Sequence, residues 1–446
     1  MKKVLFCILS IITVLSVSSC ASVPGEHAPA IKSAREGHYE KSLEYIENKK
    51  DKIYGKKSEV LYYLDSGLLQ HYNADWRDSI ENLTAAEQKI YDLYTKSISA
   101  EVASYILNDN VRDYSGEDYE DIYLNVFNSL NYFYDDRIED AVVETNRAIN
   151  KIKALSNKYQ QELLKAREAA KLEKEEIKSI AFHDSALAEY LRMLYCRAIG
   201  DYDGAATNQR MIKDAFMTQK KLYNFALPET IEEELSIPKG KARLNVLTFS
   251  GISPVKSEVI IRDYGLANFS FALALPELIK SEYPFTKIVV RVEDSKTGKT
   301  IVQSLQLLES LENVAEETFT LHKDVIYAKA IARSVTKAVA SNVGMSVGDE
   351  LVRSDDAGLV LAGALLQLFS IGGNITQQVS EHADMRISRY FPARASVAGI
   401  TLDPGLYDLQ IDYYGAGDEV IYSDWRENVS IKAGDLNLIE SVCLGR

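Results

Sequence analysis

From about residue 28 to 227, apolar side chains return every three to four positions, the spacing of helices with one buried face. No proline falls between Pro29 and Pro228, so nothing in that stretch forces a helix to break. A short pattern recurs inside it: an aromatic or aliphatic residue, two variable residues, a small residue, then an apolar one. It is spelled Tyr39–Glu40–Lys41–Ser42–Leu43, Trp76–Arg77–Asp78–Ser79–Ile80, Ile138–Glu139–Asp140–Ala141–Val142 and Tyr202–Asp203–Gly204–Ala205–Ala206. Gly37 and Gly200 precede two of these at the same offset, where a glycine relaxes a tight turn. Farther on, Ile149, Ile152, Leu155, Tyr159, Leu163 and Ala166 form one stripe, followed by the charged run Lys171–Leu172–Glu173–Lys174–Glu175–Glu176. That combination predicts a long helix reaching into solvent.

Past Pro228, Pro238 and Gly240 the period changes to two. Leu244, Val246 and Thr248 alternate with their neighbours, as do Ile288, Val290 and Val292, and later Tyr407, Leu409, Ile411 and Tyr413. These are strand patterns. Asp294 to Lys299 and Asp403–Pro404–Gly405 read as turns, and a last hairpin is expected across Ala433–Gly434–Asp435. Ser115 and Asp118 have capping-box spacing before the helix through Ile122, Val126 and Leu130. A helix is expected over about Lys323 to Asn342. An uncharged run from Ala357 to Gly373 follows, shorter than the ~20 residues of a comfortable membrane span.

The recurring pattern resembles the turn and second-helix start of tetratricopeptide repeats. Trp76 follows Tyr39 at close to the ~34-residue period, while the next two intervals are nearly doubled. An irregular bundle of helical hairpins is the plainer alternative. The expected fold is α+β: a tetratricopeptide-like helical hairpin array, then a mixed domain with an antiparallel sandwich-like part and a buried helical pair. The expected divisions are a leader at 1–19, the helical domain at 20–227, a linker at 228–241 and the mixed domain at 242–446.

The N-terminus changes the picture. Lys2 and Lys3 lead, an apolar stretch from Val4 to Val17 follows, and Ser18–Ser19–Cys20 closes it. This is the layout of an export signal. The cysteine after small residues looks like a bacterial lipobox, with Val17 where leucine is commonest. That likeness implies acylation at Cys20, and two or three acyl chains anchor stably where one does not. The formal net charge is −14, and loss of Lys2 and Lys3 makes it more negative. An acidic surface argues against nucleic-acid binding and against a basic membrane patch. With Cys7 in the leader, Cys196 and Cys443 remain, as free thiols or as a pair.

Chemistry-bearing motifs are weak. Gly344–Met345–Ser346–Val347–Gly348 has the spelling of a nucleophile elbow, with His382 downstream, but follows an alanine-rich helical pattern instead of the strand an elbow needs. Thr297–Gly298–Lys299–Thr300 lacks the earlier glycine of a phosphate loop. The six histidines are scattered and no cysteine pair has ligand spacing, so no metal or other cofactor is expected. The polar connection holding Asn108, Asp109, Arg112, Tyr114 and Glu117 is a candidate partner-binding loop, set against its plainer reading as structural punctuation. Leu359, Leu361, Leu365, Leu368 and Phe369 are a candidate membrane or partner contact, set against core packing.

Taken together, Cys20, the Asn108–Asp109 to Tyr114–Ser115–Gly116–Glu117 loop, Leu130–Asn131–Tyr132, and Ala383–Asp384–Met385–Arg386 leading to Asp403–Pro404–Gly405–Leu406–Tyr407 resemble an uncharacterised family of bacterial lipoproteins. Its members pair degenerate tetratricopeptide-like helices with a mixed C-terminal domain, and no established activity comes with it. The resemblance implies a lipid-anchored, non-enzymatic envelope scaffold that binds proteins through its helices. Ala21 after the cysteine would suit the periplasmic face of the outer membrane. The alternatives are a membrane-inserting, oligomeric component of a secretion or envelope-assembly system and, more remotely, a serine hydrolase using Ser346.

Overall fold

A computed structural model describes residues 25–99, 112–170, 181–264, 269–323, 326, 375–376 and 382–445. The first half is built from helix pairs. Helices α1 (Ala28–Arg35) and α2 (Tyr39–Asn48) pair, and the short α3 (Lys50–Ile53) follows. Then α4 (Glu59–Tyr72) pairs with α5 (Trp76–Ser99), α6 (Asp118–Tyr134) with α7 (Ile138–Ala170), and α8 (Ala186–Ala198) with α9 (Tyr202–Thr218). A short α10 (Thr230–Glu233) leads into the sheets. Tyr39, Trp76, Ile138 and Tyr202 are each the first residue of a second helix.

One turn makes all four pairs. The residue two places before each second helix has positive φ: Gly37 at +78°, Ala74 at +63°, Asp136 at +59° and Gly200 at +83°. The small residue of the pattern then lets the pair close. Ser42 Oγ donates to the Ala30 carbonyl at 2.8 Å, and Ser79 Oγ to the Gly67 carbonyl at 2.7 Å, each reaching back to the preceding helix. A Cβ on Gly67 would lie 2.7 Å from Leu83 Cγ, so α4 and α5 touch there because position 67 has no side chain.

The second half adds β1 (Ala242–Ser250), β2 (Val255–Tyr264), β3 (Phe269–Ile279), β4 (Lys287–Asp294), β5 (Thr300–Ser304) and β6 (Gln306–Ser310). A helix, α11, covers 311–323. After it come β7 (Ile375–Thr376), β8 (Arg394–Leu402), β9 (Gly405–Tyr414), β10 (Val420–Ile431) and β11 (Asn437–Cys443). The inner sheet has order β11-β1-β8-β6 and the outer sheet β10-β9-β4-β5, with a small third sheet β2-β3-β7. Most pairings are antiparallel. The fold is α+β, with helices first and sheets after.

Strand β1 explains the layering. It is buried along its whole length because its alternate residues serve two cores. Leu247 and Phe249 join the core shared with the helices, together with Ala395 and Val397 of β8. Ala242, Leu244 and Val246 face the outer sheet, against Val290, Val292, Leu409 and Ile411. The order is therefore helices, inner sheet, outer sheet, and the helical half shares one continuous core with the inner sheet.

Several expectations change. The last hairpin does not form: β10 pairs with β9, while β11 crosses to the inner sheet and runs parallel to β1, Val246 opposite Ile439. A strand buried on both faces needs a hydrogen-bonding neighbour on each side, and β8 and β11 provide them. The box opening α6 is Glu117 with Glu120, two residues after Ser115, because Glu120 reaches back to the Glu117 amide at 2.8 Å. Helix α11, over 311–323, was not expected from the sequence and forms on a buried stripe of Leu311, Val314, Ala315 and Thr318. Nearly all of the expected 323–342 helix, and the 357–373 run, lie outside the described residues. Cys196 and Cys443 are both buried free thiols. Thr297 to Thr300 lies in the β4–β5 turn, with Gly298 at φ +66° and its amide donating to the Asp294 carbonyl at 2.8 Å.

Two of the four equivalent turn positions carry side chains in the left-handed region, which costs an L-residue roughly 1–2 kcal/mol. Ala74→Gly is therefore expected to raise stability by about 1 kcal/mol, and Gly200→Ala to lower it by a similar amount. Urea denaturation of the two variants checks this, and a destabilised Ala74→Gly would contradict the shared turn.

Candidate functional site

The first helices of the pairs, α4, α6 and α8, are buried along nearly their whole length because they sit between their partners and the inner sheet. From α4, Tyr72 Oη donates to the Tyr390 carbonyl at 2.8 Å. His71 of α4 lies with Nδ1 2.6 Å from Asn131 Oδ1 and Nε2 2.8 Å from Glu440 Oε1 on β11. From α6, Phe127 packs on Phe249 at 4.9 Å and edge-on to Phe391 at 6.0 Å. From α8, the Tyr190 hydroxyl accepts from Asn245 of β1 at 3.1 Å. The sheet-facing side of the helix array is thus occupied by the chain's own C-terminal half.

Segment 383–391, which has no regular structure, is threaded through this junction. Its backbone polar groups need partners, and buried carboxylates supply them. The Ser388 amide donates to Glu120 Oε1 at 2.6 Å, and its hydroxyl to Asp65 Oδ1 at 2.6 Å. The Tyr54 hydroxyl donates to the other oxygen of Asp65 at 2.9 Å, and the Tyr114 hydroxyl to Glu120 Oε2 at 2.6 Å. Arg386 is held by Asp384 at 2.7 Å and donates to the carbonyls of Lys57 and Arg112 at 3.0 and 3.1 Å. Lys256 of β2 donates to Glu117 Oε1 at 2.5 Å.

Burial dominates the electrostatics. It pushes Asp65 up to about 7 against its bonds from Ser388 and Tyr54. It pushes Glu120 up to about 7, aided by the charge of Glu117. Asp384 goes the other way: burial opposes its ionisation, but the Arg386 bond and the charge of Lys256 overcome this and hold it below the ordinary carboxylate range.

Two further carboxylates bridge the halves. Glu309 of β6 sits at the start of α8, accepting from the Leu187 amide at 2.6 Å, from Ser185 Oγ at 2.9 Å and from the Tyr123 hydroxyl. The helix N-terminus favours negative charge there, yet burial still lifts this carboxyl to about 7. Glu234, just after α10, accepts from Arg197 of α8 at 2.7 Å, Arg243 of β1 at 3.2 Å, Asn245 at 2.8 Å and Thr230 at 2.6 Å. Gly399 of β8 leaves the space for this cluster, since a Cβ there would overlap Thr230 Oγ1, Arg243 Nη2 and Glu234 Oε1.

Of the residues singled out from sequence, Cys20, Asn108, Asp109, Ser346, Leu359, Leu361, Leu365, Leu368 and Phe369 lie outside the described residues. Tyr114 and Glu117 are buried, and they bind Glu120 and Lys256 of this chain. Arg112 contributes its carbonyl to Arg386, and His382 is exposed beside Glu258. Sequence reasoning passed over Asp65, Glu120, Glu234 and Glu309. Asp65 had a readable signal, a carboxylate within the apolar stripe of Leu61, Leu64 and Leu68. Among the described residues, no cluster of His, Cys, Asp and Glu is arranged to hold a metal, and no helix is long and apolar enough to cross a membrane. Comparison with family profiles, curated proteins and solved structures finds no match to this chain.

The raised carboxyls give stability a definite pH dependence. Asp65, Glu120 and Glu309 bind protons in the folded state up to about 7, but only near 4 when unfolded. Their contribution is complete below the unfolded values and is lost as pH rises through about 7. His27, lowered to about 4 by burial and by Arg389, acts in the opposite direction below its ordinary value. Asp184 and Glu189, raised by burial to about 6 and about 8, act in the same direction as the three carboxyls, so the melting temperature is expected to be higher at pH 5.5 than at pH 8. The pair Asp65→Asn and Glu120→Gln should shrink that difference. Equal melting temperatures of the parent at the two pH values would contradict this assignment.

Proposed function

We propose that the chain is a lipid-anchored, non-enzymatic scaffold of the bacterial cell envelope, tethered through Cys20 at the periplasmic face of the outer membrane. The observation that carries this reading is the N-terminal order of paired lysines, apolar stretch, small residues and cysteine. Acyl chains supply the attachment, and tethering raises the effective concentration near other envelope proteins, so modest affinities suffice. The partners are envelope proteins of the secretion, assembly or cell-wall synthesis kind, and nucleic acid is disfavoured by the acidic balance.

The sheet-facing side of the array is filled by β1, β11 and segment 383–391, so the available helical surface is on the second helices. Tyr91 of α5, Val143 of α7, and Tyr202 and Met217 of α9 are exposed there.

The reading is tested at Cys20. Cells fed labelled palmitate should incorporate label into the parent chain and not into Cys20→Ala. Alkaline carbonate should release the variant fully from membranes. An unlabelled parent would overturn the anchor, and a variant retained after carbonate would favour insertion through 359–371 over the scaffold.

A further inference from the structure

The outer face of the outer sheet carries a cross-strand row of side chains whose two ends, Trp425 and Val302, are exposed. Register places Trp425 of β10, Gln410 of β9, Arg291 of β4 and Val302 of β5 directly opposite one another in turn. Their sequence neighbours Leu409, Val290 and Val292 point the other way, into the core between the sheets, so the row points outward. Trp425 is 64% exposed and Val302 53%, and Arg291 is exposed with no ion pair among the described residues. A tryptophan left this open is unusual, since indole rings are highly buried on average.

The surroundings are ordered. One row along, Asp412 is buried, and its Oδ1 accepts from Gln410 Nε2 at 2.9 Å and from Ser423 Oγ at 2.5 Å. Gln410 is thereby held with its amide fixed between the indole and the guanidinium, its carbonyl oxygen left to accept. The row spans three strand spacings, roughly 14 Å at the usual separation. It presents an aromatic face, a fixed amide, a planar fork of donors and a short aliphatic end.

We propose that this row is a polysaccharide-binding platform. A pyranose ring has an apolar face of C–H groups bounded by hydroxyls. The apolar face stacks on Trp425, and the hydroxyls of the next sugars along the strand meet Gln410 and Arg291. A protein partner fits less well, because protein interfaces gather their apolar groups in a desolvated centre, whereas here the polar pair separates the two apolar ends. A nucleic acid would stack on the indole too, but the chain's acidic excess repels its phosphates. The site is independent of the anchor at Cys20, and its test does not use membranes.

The test is co-sedimentation of the detergent-solubilised full chain with purified peptidoglycan sacculi and with insoluble chitin. The parent is expected to sediment with at least one polymer. Trp425→Ala should raise the half-saturating polymer concentration about ten-fold or more, as for a dominant contact residue. Arg291→Ala should raise it less, and Trp425→Tyr should retain most binding. Because Trp425 lies on the surface, the alanine variant keeps the parent's circular dichroism and melting temperature. Failure of the parent to sediment with either polymer would overturn the proposal. So would sedimentation of Trp425→Ala equal to the parent's, or concentration-dependent self-association of the parent that Trp425→Ala abolishes.

Discussion

Asp65, Glu120, Glu234 and Glu309 are sealed where the helices meet the inner sheet, and each accepts hydrogen bonds from both halves of the chain or from the half it does not belong to. An ionised group taken out of water costs several kcal/mol, and the cost is offset only when its lone pairs are met by well-placed donors. Glu309 belongs to β6, yet the α8 amide, Ser185 and Tyr123 satisfy it. Asp65 belongs to α4 and depends on Ser388. If either half separated, a carboxylate or its donors would be left unpaired. The junction therefore constrains both halves to one geometry, and the shared apolar core supplies the driving force for it.

That constraint also governs surfaces. A helical array of this kind has one side available for partners only while that side is empty. Here, β1, β11 and segment 383–391 fill it, and Tyr114 and Glu117, which stood out in the sequence as polar loop residues, are buried against Glu120 and Lys256 of this chain. The surfaces left for the proposed contacts are the outward faces of the second helices and the outer sheet. Layering makes the last of these available, because β1 and β8 serve both cores and leave β4 and β9 with one face inward and one outward.

Much of the helical half was legible because its determinants are local. The four second helices begin at Tyr39, Trp76, Ile138 and Tyr202, where a small residue three places on permits close approach and a left-handed residue two places before makes the turn. The stripe of Ile149, Ile152, Leu155 and Tyr159 is likewise buried on α7. What escaped was non-local. The parallel partner of β1 lies nearly two hundred residues away and has no signature in either strand alone. Strands β2 and β3, paired Val255 to Ile279, were missed because Lys256 and Glu258 made the segment look polar, although both are used inside the fold. Glu234 was illegible for the same reason: it sits in an acidic run that reads as a linker, and its two arginines come from α8 and β1.

The direct test of the weld between helices and sheet is pulse hydrogen exchange read by mass spectrometry across a urea series, comparing peptides from α6 with peptides from β1. Coincident protection curves with one midpoint are expected. A clearly lower midpoint for one element, with the other still protected, would contradict the view that buried carboxylates and a common core make the two halves a single cooperative unit.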